Sequence, residues 1–115
     1  EPGMYLYEPN AAIMKAGAYK TVAMRFGISK IHPDSHLYAS QSLVEDFPGR
    51  KFQIVRIGSV KEFRDLKKAN IAVRNFPMKP DDLRKKMRLQ DGGEAYLFAT
   101  TIADERKVVI ECRKV

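Results

Sequence analysis

Four stretches decide the fold: NIAVRNFP (70–77), PDDLRKKMRL (80–89), EAYLFATTI (94–102) and KVVIECR (107–113). In the first, Ile71 and Val73 fall on one side and Arg74 on the other, the two-residue alternation of a half-buried strand that ends at Pro77. In the second, Pro80 takes the first helical position, Asp81 and Asp82 the first turn, and Arg84, Lys85, Lys86 and Arg88 the last. These charges all agree with the macrodipole of a short helix whose Leu83 and Met87 face the core. Asp91-Gly92-Gly93 reads as the stop of that helix. Residues 95–102 are apolar on both sides, which predicts a central strand. Residues 107–113 pair with it across the turn at 103–106.

Working outward toward the N-terminus, Tyr5-Leu6-Tyr7 predicts a short strand stopped by Pro9. Asn10 caps a helix through Phe26, with Ala12, Ala16, Tyr19, Ala23 and Phe26 on one stripe and Gly27 ending it. Gly17, in its middle, suits the close approach of a neighbouring element. Residues 29–49 read as loop around a short strand at 37–39, and 52–57 as a strand. Ser59 and Glu62 make a capping box that opens a helix to about Lys68. The order β-α-(β)-β-α-β-α-β-β places the chain in the α+β class, with helices packed on a mixed or antiparallel sheet.

At 115 residues and 44% hydrophobic content, one packed core is expected. Apolar runs are short and broken by Lys, Arg or Glu, which excludes a membrane span and a signal-peptide core. The single cysteine, Cys112, alternates with Ile110, so it reads as a buried thiol of a reducing, cytoplasmic compartment rather than part of a disulfide framework. Glu1-Pro2-Gly3 runs directly into a structured segment, as expected of a piece cut from a larger protein at a domain boundary. Net charge is +7, yet residues 50–88 carry thirteen cations against Glu62, Asp65, Asp81 and Asp82, a local balance of +9. Charge concentrated in this way collects polyanions when it shares one surface.

The residues offer no catalytic constellation. No glycine-rich strand-to-helix turn exists to admit a dinucleotide or S-adenosylmethionine, and no phosphate-binding GxxxxGK[ST] loop. His32 and His36 stand four apart, but Pro33 breaks any helix that would align them on a metal. The pairs Asp81-Asp82, Asp104-Glu105 and Glu45-Asp46 belong to a helix start, a turn and a loop. What remains is a cationic ridge, Arg84, Lys85 and Arg88, extended by Arg74 and Lys79, which suits phosphate oxygens because guanidinium forks bind them in pairs. Phe76, Tyr38 and Tyr5 are the aromatic candidates for unpaired bases. Three uses of this face stay open: docking a polyanion, packing against another protein domain, or simple solvation.

The run Tyr5-Leu6-Tyr7-Glu8-Pro9-Asn10-Ala11-Ala12-Ile13-Met14-Lys15-Ala16-Gly17-Ala18 resembles the segment that follows the catalytic domain in a bacterial family of S-adenosylmethionine-dependent methyltransferases, its Bacteroidetes members above all. Residues 70–77, 83–89 and 96–101 resemble the THUMP-like domain that closes those proteins. The resemblance spans nearly the whole chain. It implies a small ferredoxin-like element at 1–44 and a THUMP-like domain at 45–115, packed as one unit. It also implies an upstream methyltransferase domain that holds S-adenosylmethionine, while this chain has no cofactor and no catalysis of its own. THUMP domains proper bind RNA, commonly tRNA, so the implied role is RNA docking for that enzyme. RNA contacts are not transferred by motif; Arg74, Lys79, Arg84, Lys85 and Arg88 rest on charge placement.

Overall fold

The computed structural model describes residues 4–12 and 19–115. Its elements are β1 (Tyr5–Pro9), α1 (Tyr19–Phe26), β2 (Ser29–Lys30), β3 (Tyr38–Ser40), β4 (Gly49–Gly58), a 3-10 turn (Val60–Phe63), β5 (Lys68–Arg74), α2 (Pro80–Met87), β6 (Gln90–Thr101) and β7 (Lys107–Lys114). All seven strands form one mixed sheet in the order β2-β3-β1-β4-β7-β6-β5. Neighbours are antiparallel except β5 and β6, which run parallel because α2 carries the chain back between them. This is the α+β class expected. Gly17 and Ala16 of the first helix lie outside the described residues. Of its stripe, Ala23 and Phe26 pack inward, whereas Ala12 is exposed.

The sheet curls strongly. Glu8 on β1 bonds Arg74 on β5, four strand positions away, a span of about 19 Å in a flat sheet. Inside the curl, Leu6, Ala39, Phe52, Phe98, Val108, Ile110 and Cys112 form the main core. Burial pushes the Cys112 thiol up to about 12, so it is an inert core group. Two further clusters lie on the outer side. Tyr7, Ile28, Tyr38 and Phe47 pack with Ala23 and Phe26 of α1. Phe63, Ala69, Leu83, Leu97 and Val109 join the 3-10 turn and α2 to the sheet. An eight-residue helix is too short to persist alone. Fully buried Leu83 anchors it, contributing about 1.5–3 kcal/mol.

A bulge at Ile54/Arg56 decides which side β4 shows. Without the extra residue Val55, Ile54 and Arg56 would share one side. With it, Ile54 and Ile57 both join the inner core while Arg56 turns out onto the Phe63 ring, 4.5 Å from its centroid. Gly49 sets the approach of β1 and β4: a Cβ there would stand 2.1 Å from the Glu8 carbonyl oxygen.

Three expectations are corrected. Residues 29–49 are not loop around one strand: they hold β2 and β3, the latter at Tyr38–Ser40. The segment after Ser59 forms a 3-10 turn rather than a helix to Lys68, since β5 begins at Lys68. Gly92-Gly93 does not stop α2. Arg88 does, by taking a left-handed conformation (φ 57°, ψ 46°), after which Gln90 N–H bonds the Lys67 carbonyl at once and β6 begins. The glycines serve a bulge inside β6 at φ 104° and 82°, where the register jumps from Ala69↔Asp91 to Asn70↔Tyr96.

Candidate nucleic-acid interface

Helix α2 presents its charges as the sequence requires. Lys85 lies about 200° round the axis from buried Leu83, so it projects away from the sheet. Lys79 precedes the first turn as N-cap and is exposed, as are Lys85, Lys86 and Arg88. Because Gln90 sits opposite Lys68 in register and bonds Lys67, the last turn of α2 abuts the start of β5. That contact brings Lys67 beside Arg88, whereas Lys68 alternates with buried Ala69 and runs over Gly93 on the other side of the strand. The 3-10 turn packs under the same helix through Phe63 and adds Lys61 and Arg64 to the layer.

Counter-charges separate these cations into two classes. Arg50 and Arg74 bond Glu8, Arg56 bonds Asp65 and Glu111, and Arg84 bonds Asp81 at 2.8 Å and Asp91 at 3.5 Å. Among the described residues, Lys61, Arg64, Lys67, Lys68, Lys79, Lys85, Lys86 and Arg88 form no ion pair. Most acids near them are engaged, though Asp82 of α2 is exposed and forms no ion pair among the described residues. The Arg56 guanidinium holds the Asp65 carboxyl below its usual range, and the Ser59 backbone N–H, then its hydroxyl, does the same for Glu62. Asp81 faces Arg84. The layer therefore keeps a net positive field.

Of the residues expected to bind, Lys79, Lys85 and Arg88 stand in this layer, and Arg84 stands there neutralised. Arg74 lies at the far end of β5, on the opposite side of the strand from Ile71 and Val73, bonded to Glu8 and to the Val73 carbonyl. Lys67 was missed, because only the pairing of β6 with the start of β5 brings residues some twenty positions apart together. Tyr38 is fully buried among Tyr7, Ile28 and Phe47, so it offers no ring to a base; Tyr5 and Phe76 are half-buried in packed clusters. His32 donates from Nε2 to Glu105 at 2.7 Å and accepts the Asp34 N–H on Nδ1, which engages both nitrogens locally. Among the described residues no group of three or more His, Cys, Asp or Glu could hold a metal ion, and no helix is long and apolar enough to cross a membrane.

Comparison with known proteins identifies both halves. A family profile described as THUMP domain-like matches residues 49–114, and one described as a ferredoxin-like domain matches residues 5–48. The curated proteins give no match. Among solved structures, a proposed methyltransferase from Porphyromonas gingivalis W83 superimposes with a TM-score of 0.94 at 44% identity over 100% of this chain. The chain spans 30% of that protein's length.

Proposed function

The chain belongs to the THUMP domain-like family, and from that premise we propose that it is a substrate-docking module which holds RNA, tRNA or another structured RNA, for a methyltransferase domain. One observation carries the proposal: seven exposed cations without a carboxylate partner, Lys61, Arg64, Lys67, Lys79, Lys85, Lys86 and Arg88, lie on α2 and its ends, the 3-10 turn and the residue leading into β5. Lys67, Lys79, Lys85, Lys86 and Arg88 contact phosphates, and Arg84 is held back by Asp81 and Asp91. Such contacts position RNA without reading its sequence. The S-adenosylmethionine pocket and the chemistry belong to a catalytic domain that precedes this region in the full protein, as the partial coverage of the Porphyromonas protein suggests. A cytoplasmic setting agrees with the reduced thiol of Cys112.

Electrophoretic mobility of tRNA with the 115-residue chain tests the proposal. The quadruple variant Lys67→Gln, Lys85→Gln, Lys86→Gln, Arg88→Gln is expected to weaken binding at least tenfold with folding intact. Unchanged affinity overturns it. A second reading, docking against the methyltransferase domain itself, draws on the edge position of β5, whose Ile71 and Val73 remain half-buried. Loss of tRNA binding in a longer chain, but not in this one, would favour that reading.

A further inference from the structure

The far end of β5 is built differently from the lysine layer. Arg50 Nε donates to Glu8 Oε1 at 2.6 Å, Arg74 Nη2 donates to Glu8 Oε2, and Arg74 Nη1 donates to the Val73 carbonyl at 2.9 Å. One carboxylate thus serves two guanidinium groups, which leaves a local excess of one positive charge. The arrangement exists only because the sheet curls and brings β1 to β5. Glu8 is fixed opposite Arg50 by the β1–β4 register, which Gly49 permits. Arg50 is further steadied by the Phe52 ring, 5.3 Å from its guanidinium carbon.

These side chains line a cleft of about 740 Å³ that Asn10 and His36 also border. The bonds named occupy three of the N–H donors that two guanidinium groups carry between them. Arg50 and Arg74 remain 44% and 39% exposed, against 14% for Glu8, so the anion is tucked under and the cations face solvent. A tie meant only to close the sheet needs one arginine. Two, aligned on a shared carboxylate, present forks that have already lost much of their side-chain freedom, which lowers the entropic cost of binding.

We propose that this cleft is a second anion site, which takes the phosphate group of a nucleotide between Arg50 and Arg74. Phosphate fits because it carries more charge than a second carboxylate and its tetrahedral array of oxygens can accept from the donors that both guanidinium groups still have beside Glu8. The cleft exceeds a bare phosphate several-fold, so the group arrives on a larger carrier. This proposal does not rest on the RNA reading of α2.

The test is an NMR titration of the 115-residue chain, observing arginine Nε–Hε signals at constant ionic strength, with adenosine monophosphate, inorganic phosphate, adenosine and acetate as separate probes. Adenosine monophosphate is expected to shift the Arg50 and Arg74 signals saturably in the millimolar range, inorganic phosphate more weakly, and adenosine and acetate not at all. Arg50→Lys and Arg74→Lys, which keep the charge but lose the fork, should each weaken the nucleotide at least fivefold, with the backbone spectrum confirming the fold. Lys85→Gln with Arg88→Gln should leave it unchanged. Absence of a shift with the nucleotide, or equal shifts with acetate, overturns the site. Equal affinity for inorganic phosphate overturns the nucleotide carrier. Nucleotide binding with no tRNA binding would reject the α2 reading and keep this one.

Discussion

The two ends of β5 carry cations of opposite character. At its start, beside the last turn of α2, Lys67, Lys85, Lys86 and Arg88 have no acid to hold them. At its finish, Arg50 and Arg74 are locked onto Glu8. Mobile ammonium groups follow a flexible polyanion with little directional demand, whereas fixed guanidinium forks demand a ligand of set geometry. Formal charge counts both ends alike, so the distinction lies in which carboxylates the fold delivers to which cations.

The comparison is broken most severely by Gly49→Ala. Its Cβ would meet the Glu8 carbonyl oxygen at 2.1 Å, backbone that cannot swing aside. The β1–β4 pairing must part, and stability should fall by about 3 kcal/mol in urea unfolding, while the α2 layer keeps its affinity for RNA wherever the chain stays folded. A loss under about 0.5 kcal/mol would mean the strands separate freely.

Glu111→Ala removes the buried carboxylate that Arg56 and Arg113 share at 2.6 and 2.9 Å. Arg56 and Arg113 are 37% and 44% exposed and so partly solvated. The expected cost is therefore about 2 kcal/mol rather than the full penalty of stranding a buried charge. Glu111→Gln, which keeps hydrogen bonding, should cost less.

Arg88→Gly sharpens the contrast by separating stability from binding. Arginine at φ 57° is strained, so glycine should raise stability by on the order of 0.5 kcal/mol while tRNA affinity falls with the lost cation. A destabilised variant would show that the Arg88 side chain packs rather than protrudes.

Acid titration gives the smallest effect. Glu62 and Asp65 have folded values below their ordinary 4.5 and 3.8. Their contribution is therefore present above those values and is lost as pH falls through the lowered ones. Thermal unfolding should stay level from pH 7 to about 5 and decline below about 4, less steeply in Asp65→Asn.

Much of the fold is legible in the residues. Pro80, the paired aspartates and the basic last turn place α2, and the alternation at 70–74 and 107–113 gives β5 and β7 their sides. Misreadings arose where long-range pairing overrode local signals. Gly92-Gly93 looks like a helix stop, but the parallel partner β5 turns it into a bulge, and Arg88 ends the helix at some conformational cost. Ser59 and Glu62 do meet, the carboxylate accepting the Ser59 N–H at 2.8 Å, yet Phe63 is drawn into the core too soon for the helix to continue. In the interface, Lys85 and Arg88 follow from helix geometry. The pairing of Arg84 with Asp81 is an i, i+3 contact within the helix and was open to reading, whereas the capture of Arg74 by Glu8 joins distant segments, which no local pattern encodes.

The central claim is that unneutralised charge around α2 grips phosphates. It is tested most directly by the salt dependence of tRNA affinity for this chain and for the variant Lys67→Gln, Lys85→Gln, Lys86→Gln, Arg88→Gln. Each phosphate contact contributes about 0.7–0.9 to the slope of log affinity against log salt. The account predicts a steep decline for the chain and a slope shallower by about 3 for the variant. A flat response, or the same slope in both, contradicts it.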